Sequence, residues 1–367
     1  MRYLILSVDY EIFGNGAGDV RHHMVEPVER MARVCEKHQM PLTVFFEAEE
    51  YAAFERHAPQ LRQMLSYDPA GLIREQVSAL VRRGHDFQLH LHPQWHGATY
   101  ESGRWRLRQE QATVDHLFET VEETAAYLGE RKRLLEELRA GAARPDPVLA
   151  YRAGAFSARP GQRLLAAMVE NGFEIESSVV RGLHQPGADY SLDYRDVAIP
   201  ARMWRVESDV GREAADGPIW EIPIHSELRR RCAQVTWRRL RAKFANHVPQ
   251  EQRRNNVERF LDPRHPLQVM RSLWEPAPVK LDFHNLSSRQ MLRMIRAVDS
   301  SPERGPVDVL VLIGHSKEHV EDQTLERFLA AVAADPALRV TTFAEIARLL
   351  RARPAGLGAA MARGECR

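Results

Sequence analysis

The sequence predicts an α/β fold, on three observations. Short apolar runs alternate with helically patterned segments, the signature of strands joined by crossover helices. Nine of these runs have strand length, too many for a small domain. Two stretches rich in Arg, Glu, Leu and Gln, about residues 97–147 and 226–277, interrupt the rhythm with helical spacing and no convincing strand. Setting them aside leaves about 264 residues, close to the ~250 of one eight-stranded α/β barrel. One elaborated domain over residues 1–350 with two mainly helical insertions is expected, followed by a flexible tail over 351–367 containing Gly356, Gly358 and Gly364.

In chain order the expected strands are Tyr3 to Val8, Leu42 to Phe46, Phe87 to Leu91, Val148 to Tyr151, Phe173 to Ser177, Ile219 to Ile224, Val279 to Phe283, Val307 to Ile313 and Arg339 to Thr341. Helical patterns span Val25 to His38, Gly71 to Arg83 and Gly161 to Asn171. The last opens with Arg159-Pro160-Gly161 and closes at Asn171-Gly172, a left-handed stop.

Composition excludes several classes. With 44% hydrophobic and 28% charged residues, the chain is neither fibrous nor disordered. No apolar run approaches the ~20 residues that cross a bilayer, and Met1-Arg2-Tyr3 leads into only a short apolar stretch interrupted by Ser7. Neither a membrane span nor a standard secretory signal is expected. Lys and Arg number 51 against 50 Asp and Glu, so no global field recruits nucleic acid. Cys35, Cys232 and Cys366 are far apart and form no CxxC pair, which argues against a disulfide framework and places the chain in the reducing cytoplasm.

The chemistry gathers at strand ends. Leu4-Ile5-Leu6-Ser7-Val8-Asp9-Tyr10-Glu11 carries an apolar run into two carboxylates at i and i+2, which share a face of a strand. Acidic residues also merely end strands, so this pair alone is weak. Gln88-Leu89-His90-Leu91-His92-Pro93 places two imidazoles on one face, and two histidines with a carboxylate form a recurring ligand set for a catalytic zinc with an open position. His22, His23, His85 and His96 read as ordinary loop residues. Arg152, in Tyr151-Arg152-Ala153-Gly154, follows a strand and offers a guanidinium that could orient a carboxylate. His315 follows Val309-Leu310-Val311-Leu312-Ile313-Gly314, where a general acid or base would sit at the C-terminal face of an α/β fold.

The order Asp9 with Glu11, His90 with His92, Arg152, and Leu312-x-x-His315 resembles the polysaccharide deacetylase family with NodB homology, carbohydrate esterase family 4, from Tyr3 to about Leu350. That resemblance implies a deformed (β/α) barrel of seven to eight strands and a metal-dependent N-deacetylation of acetylated amino sugars. It further implies Asp9 as base and Glu11, His90 and His92 as ligands of one divalent ion, Zn2+ first and Co2+, Ni2+ or Mn2+ as alternatives.

There are departures from the family pattern. Tyr10 stands where the second of two adjacent aspartates is usual. The histidines are one residue apart rather than three, with Gln88 at the earlier position. Gly154 stands where a proline is usual. The family's aspartate and tryptophan motif has no clean match: Trp220-Glu221 occupies a plausible place, and Asp282 in Leu281-Asp282-Phe283-His284 is expected beside His315, raising its pKa. Asp9, His315, Arg152 and Asp282 are thus the expected catalytic set, and Tyr10, Trp95, Ala153 and Glu221 the expected substrate contacts, Ala153 through a backbone N–H at the oxyanion.

The expected substrates are N-acetylated sugars, nucleotide sugars or lipid-linked glycan precursors. Between Glu227 and Arg259 lie ten Arg and Lys, with Trp237, Leu240 and Phe244 on one helical stripe. Such a segment docks on the barrel with a basic outer face, or contacts a phosphate-bearing substrate or an anionic membrane surface peripherally. Two other readings stay open: a hydrolase of a non-sugar amide or glycosidic bond on the same barrel, and a non-catalytic sugar-binding descendant.

Overall fold

The computed structural model describes residues 1–141, 146–186, 191–199, 202–234, 274–298 and 306–352. The first half runs β1 (Arg2–Tyr10), α1 (Glu26–Lys37), β2 (Thr43–Glu47), α2 (Ala48–Arg56), α3 (Ala58–Leu65), α4 (Pro69–Arg82), β3 (Asp86–Leu91), β4 (Thr99–Glu101), β5 (Arg104–Arg106), α5 (Val121–Arg139), β6 (Ala150–Ala153) and α6 (Gln162–Glu170). The second half runs β7 (Ile175–Glu176), β8 (His184–Gln185), β9 (Leu192–Asp193), β10 (Trp204–Val206), β11 (Ile219–Glu221), β12 (Ser226–Arg230), β13 (Pro276–Lys280), α7 (Ser288–Ala297), β14 (Val309–His315), α8 (Gln323–Ala333), β15 (Leu338–Thr341) and α9 (Phe343–Arg351).

One sheet organises these elements, in the order β10, β11, β7, β6, β3, β2, β1, β14, with β15 also paired to β1. All its pairings are parallel except β10 with β11. The sheet curls until its ends meet. Beyond β11, the His225 N–H donates to the Val311 carbonyl at 3.1 Å, and Leu281 to Phe283 exchange bonds with Ile313 at 3.0 and 3.2 Å. Closure therefore rests on isolated bridges, Ile224 to Val311 and Asp282 to Ile313, rather than on full strands.

The reason is legible in the residues. A strand buried on both faces needs no polar alternation, and Leu4, Ile5, Leu6 and Val8 of β1 are all buried. The helices outside cover the sheet with one stripe each: on α1, Val28, Met31, Ala32 and Cys35 are fully buried at i, i+3, i+4 and i+7. Gly172 takes φ 67° just past α6, the left-handed stop expected there.

The insertions differ from expectation. Residues 97–147 hold a β4–β5 hairpin before α5, because Tyr100 and Trp105 face each other and Ser102-Gly103, at φ 50° and 80°, make a tight two-residue turn. The stretch 226–277 opens and closes on the β12–β13 hairpin, and the strand expected at Val279 to Phe283 is split between β13 and the closing bridge. The basic stripe Trp237, Leu240 and Phe244, and the tail from residue 353, lie outside the described residues.

Candidate metal centre and active site

Five neighbouring parallel strands set the site at their C-terminal ends. Register puts Asp9 of β1 beside His315 of β14 and Phe45 of β2, and puts His90 of β3 beside Glu47 of β2 and Arg152 of β6. Residues more than 300 positions apart in sequence thus become neighbours through strand pairing alone.

Glu11, His90 and His92 converge just past these ends. Glu11 Oε2 lies 2.9 Å from His92 Nδ1 and 3.4 Å from His90 Nε2, and one ligand atom from each residue falls within 4.8 Å of the others. All three side chains are buried, and neither ring nitrogen has a hydrogen-bond partner of suitable geometry. His90 Nδ1 lies 2.9 Å from the Arg152 carbonyl, which fixes that nitrogen as the donor and leaves Nε2 as the lone pair facing Glu11. Two orphaned imidazole nitrogens aimed at one carboxylate oxygen form a donor set that could hold a metal ion. Burial keeps the His92 imidazole below its ordinary range. His90 is raised instead: burial opposes its charging, but the Asp9 and Glu11 carboxylates outweigh it.

Asp9 occupies the neighbouring position. The buried Arg152 guanidinium spans the barrel to it, Nη1 donating to Asp9 Oδ1 at 2.7 Å and to Ser7 Oγ at 3.1 Å, while Nε donates to the Ser177 carbonyl at 2.9 Å. Its Cζ lies 3.9 Å from the Phe45 ring centroid, so the ring covers one face of the guanidinium. Burial alone would favour a neutral Asp9. Arg152, His90 and His315 outweigh burial and hold the carboxyl below its usual range. His315 Nε2 lies 3.6 Å from Asp9 Oδ2, and its Nδ1 lies 3.6 Å from Glu318 Oε2. Burial opposes protonation of His315, and Glu318 and Asp9 overcome it, raising the imidazole.

Several expected contacts fall elsewhere. Asp282 does not face His315: its oxygens accept from the His284 and Asn285 backbone N–H groups at 2.8 and 3.1 Å and from Asn285 Nδ2 at 2.6 Å, so it caps a turn. Tyr10 points into the core, its hydroxyl donating to Gln76 Oε1 at 2.7 Å. Trp95 is buried edge-on to Phe54 and Trp105 and shows no open face for a sugar. The Ala153 N–H is taken by Ser178 Oγ at 2.7 Å and cannot serve an oxyanion. Glu221 is fully buried against Glu176, and burial together with that neighbour pushes its carboxyl well up.

Sequence reasoning missed Lys317. Its ammonium, nearly buried, donates to Glu11 Oε1 at 2.6 Å and to the Ile12 carbonyl at 3.1 Å. It thereby leaves Oε2 to the imidazoles and, with His92, holds Glu11 well below the carboxylate range despite burial. The signal was Lys317 two residues after His315. Also missed were Glu47, the last residue of β2, and Glu50 in the first turn of α2; Glu47 Oε1 accepts the His92 backbone N–H at 2.8 Å. They follow the same pattern of an apolar strand running into carboxylates. Gly154 now has a reason: a Cβ there would fall 2.4 Å from His92 Cδ2, so a larger residue would displace the imidazole.

No family model matches the sequence. No curated protein matches it either. Similar solved structures include a Mycobacterium smegmatis protein provisionally described as a polysaccharide deacetylase, 17% identical over 95% of this chain and 90% of that one, with a TM-score of 0.47. A Pseudomonas aeruginosa protein with the same provisional description is 16% identical over 96% and 92%, with a TM-score of 0.42. A 4-alpha-glucanotransferase from Thermococcus litoralis is 12% identical over 96% of this chain but only 40% of its own, with a TM-score of 0.47. At these values no chemistry is carried across, and the site is read from its own residues.

Proposed function

We propose that this chain is a metal-dependent hydrolase that removes an N-acyl group, acetyl foremost, from an amino sugar or glycan precursor. The observation that carries the reading is the convergence of Glu11, His90 and His92, with orphaned ring nitrogens, beside an Asp9 carboxylate clamped by Arg152. Zinc suits a donor set of two imidazoles and one carboxylate. A divalent ion held by Glu11, His90 and His92 would polarise an amide carbonyl and acidify a water molecule.

The chain's own residues supply the proton traffic. Asp9, kept ionised and aimed by Arg152, which Ser7 helps to hold, accepts the proton of the attacking water at an oxygen. His315, raised by Glu318 and Asp9, delivers a proton to the departing amine. Glu318 takes the part that the sequence suggested for Asp282, because it faces the imidazole and Asp282 does not.

Residues 1–350 act as one catalytic unit in this reading, working in the cytoplasm on nucleotide-linked or lipid-linked precursors. Peripheral membrane contact would come from the basic segment 227–259. Acetate release from a panel of N-acetylated sugars, measured with and without a chelator, tests the function. Release that the chelator abolishes is expected; chelator-insensitive release contradicts the metal-dependent reading.

A further inference from the structure

Three ion pairs stand at the strand ends. Arg152 is paired with Asp9, Lys317 with Glu11, and His315 faces Glu318. Asp282 spends its oxygens on N–H groups of its own turn.

Lys280, the last residue of β13, is the exception. It is half-buried, and its ammonium sits 4.4 Å from the centroid of the Phe156 ring. Among the described residues it makes no ion pair within 4.0 Å; the Glu318 carboxylate, on His315, feels it only at longer range. Phe156 stands edge-on to His315, with ring centroids 6.5 Å apart. An aromatic face compensates an ammonium much less than an anion does. The wall is also built at a cost: Ala155 and Phe156 both adopt left-handed backbone, φ 49° and 64°, and the Tyr194 hydroxyl donates to the Phe156 carbonyl at 2.8 Å to hold the turn.

We propose that Lys280, the Phe156 ring and the adjoining edge of His315 form a subsite for an anionic oxygen group, phosphate or carboxylate, carried by the substrate. The proposal rests on the hydrolase reading in one respect, that the anionic group belongs to the molecule whose amide reaches His315. It narrows the substrate class to N-acylated sugars bearing a phosphate or an acid. The group would lie on the His315 side of the scissile bond, across the site from Lys317.

Inorganic phosphate and acetate are the probes, titrated calorimetrically into the full chain, both chelator-treated and zinc-loaded. Wild type is compared with Lys280→Gln and Lys280→Arg, each checked for an unchanged thermal transition. At least one anion is expected to bind wild type and Lys280→Arg and to bind Lys280→Gln about tenfold more weakly in both preparations. Phosphate alone assigns a phosphate group, and acetate alone a carboxylate. Equal binding by Lys280→Gln, or no binding of either anion to wild type, overturns the subsite. Acetate release by wild type separates the two readings. Release without anion binding leaves the hydrolase without this subsite, whereas anion binding lost in Lys280→Gln, with no acetate from any N-acetylated sugar, keeps the subsite and removes the deacetylase.

Discussion

Two pairs among the buried carboxylates of this sheet differ in what surrounds them. Asp9 and Glu11 each meet a cation, Arg152 and Lys317, and each turns its second oxygen toward histidines. Glu176 and Glu221, paired across β7 and β11, meet each other, and their partners are Ser178 and the Val179 N–H. Both groups are out of water and both end apolar strands. Burial and strand position therefore do not distinguish a working carboxylate from a structural one. Compensating charge does, because it holds Asp9 and Glu11 below the carboxylate range while burial beside a second carboxylate pushes Glu221 well up.

The largest effect should come from breaking the first group. Asp9→Asn keeps the shape and the bond to Arg152 but cannot accept a proton, so acetate release should fall by about 10²–10⁴ with metal content unchanged. Assay and metal analysis on the same preparation check this. Lys317→Met leaves a buried Glu11 without its cation and should cost about 3–5 kcal/mol in denaturant unfolding of chelator-treated protein. A loss under 1 kcal/mol would show that the pair is not compensated in the way described.

The second group should behave in the opposite sense. Glu221 has a folded-state pKa above its unfolded value, so its stabilising contribution is complete below the unfolded pKa and is lost as pH rises through the folded one. Glu221→Gln cannot lose that proton. Relative to wild type it should therefore gain stability between pH 5 and pH 8, with turnover changed by less than about twofold. Thermal unfolding across that range tests the sign. Smallest is Trp95→Phe: an aromatic remains against Phe54 and Trp105, so a loss of about 1–2 kcal/mol with unaltered KM is expected. A several-fold rise in KM would place Trp95 in the substrate site after all.

Much of the comparison was legible in the sequence, for a definite reason. Asp9, Glu11, His90, His92, Arg152 and His315 each follow an apolar run, and parallel strands deliver such residues to one end of a sheet whatever the loops between them do. What sequence could not supply was the direction of individual side chains past the strand ends. Sequence pointed to Asp282 as the partner of His315, but the turn after β13 folds Asp282 onto its own backbone and Glu318 faces the imidazole instead. Nothing in the sequence sets Lys317 apart from an ordinary loop charge; its burial against Glu11 does. Trp95 and Tyr10 sit beside site residues in sequence yet face the opposite way, into the core. The β4–β5 hairpin escaped notice because its strands are three residues long, too short for periodicity to register, although Ser102-Gly103 marked its turn.

The most direct test of the central claim, that Glu11, His90 and His92 form a metal centre, is a zinc titration of chelator-treated protein followed by calorimetry. One ion per chain is predicted for wild type and for Asp9→Asn, with binding lost in the double variant His90→Ala, His92→Ala. Undiminished binding in that double variant, or no binding to wild type, would contradict the account.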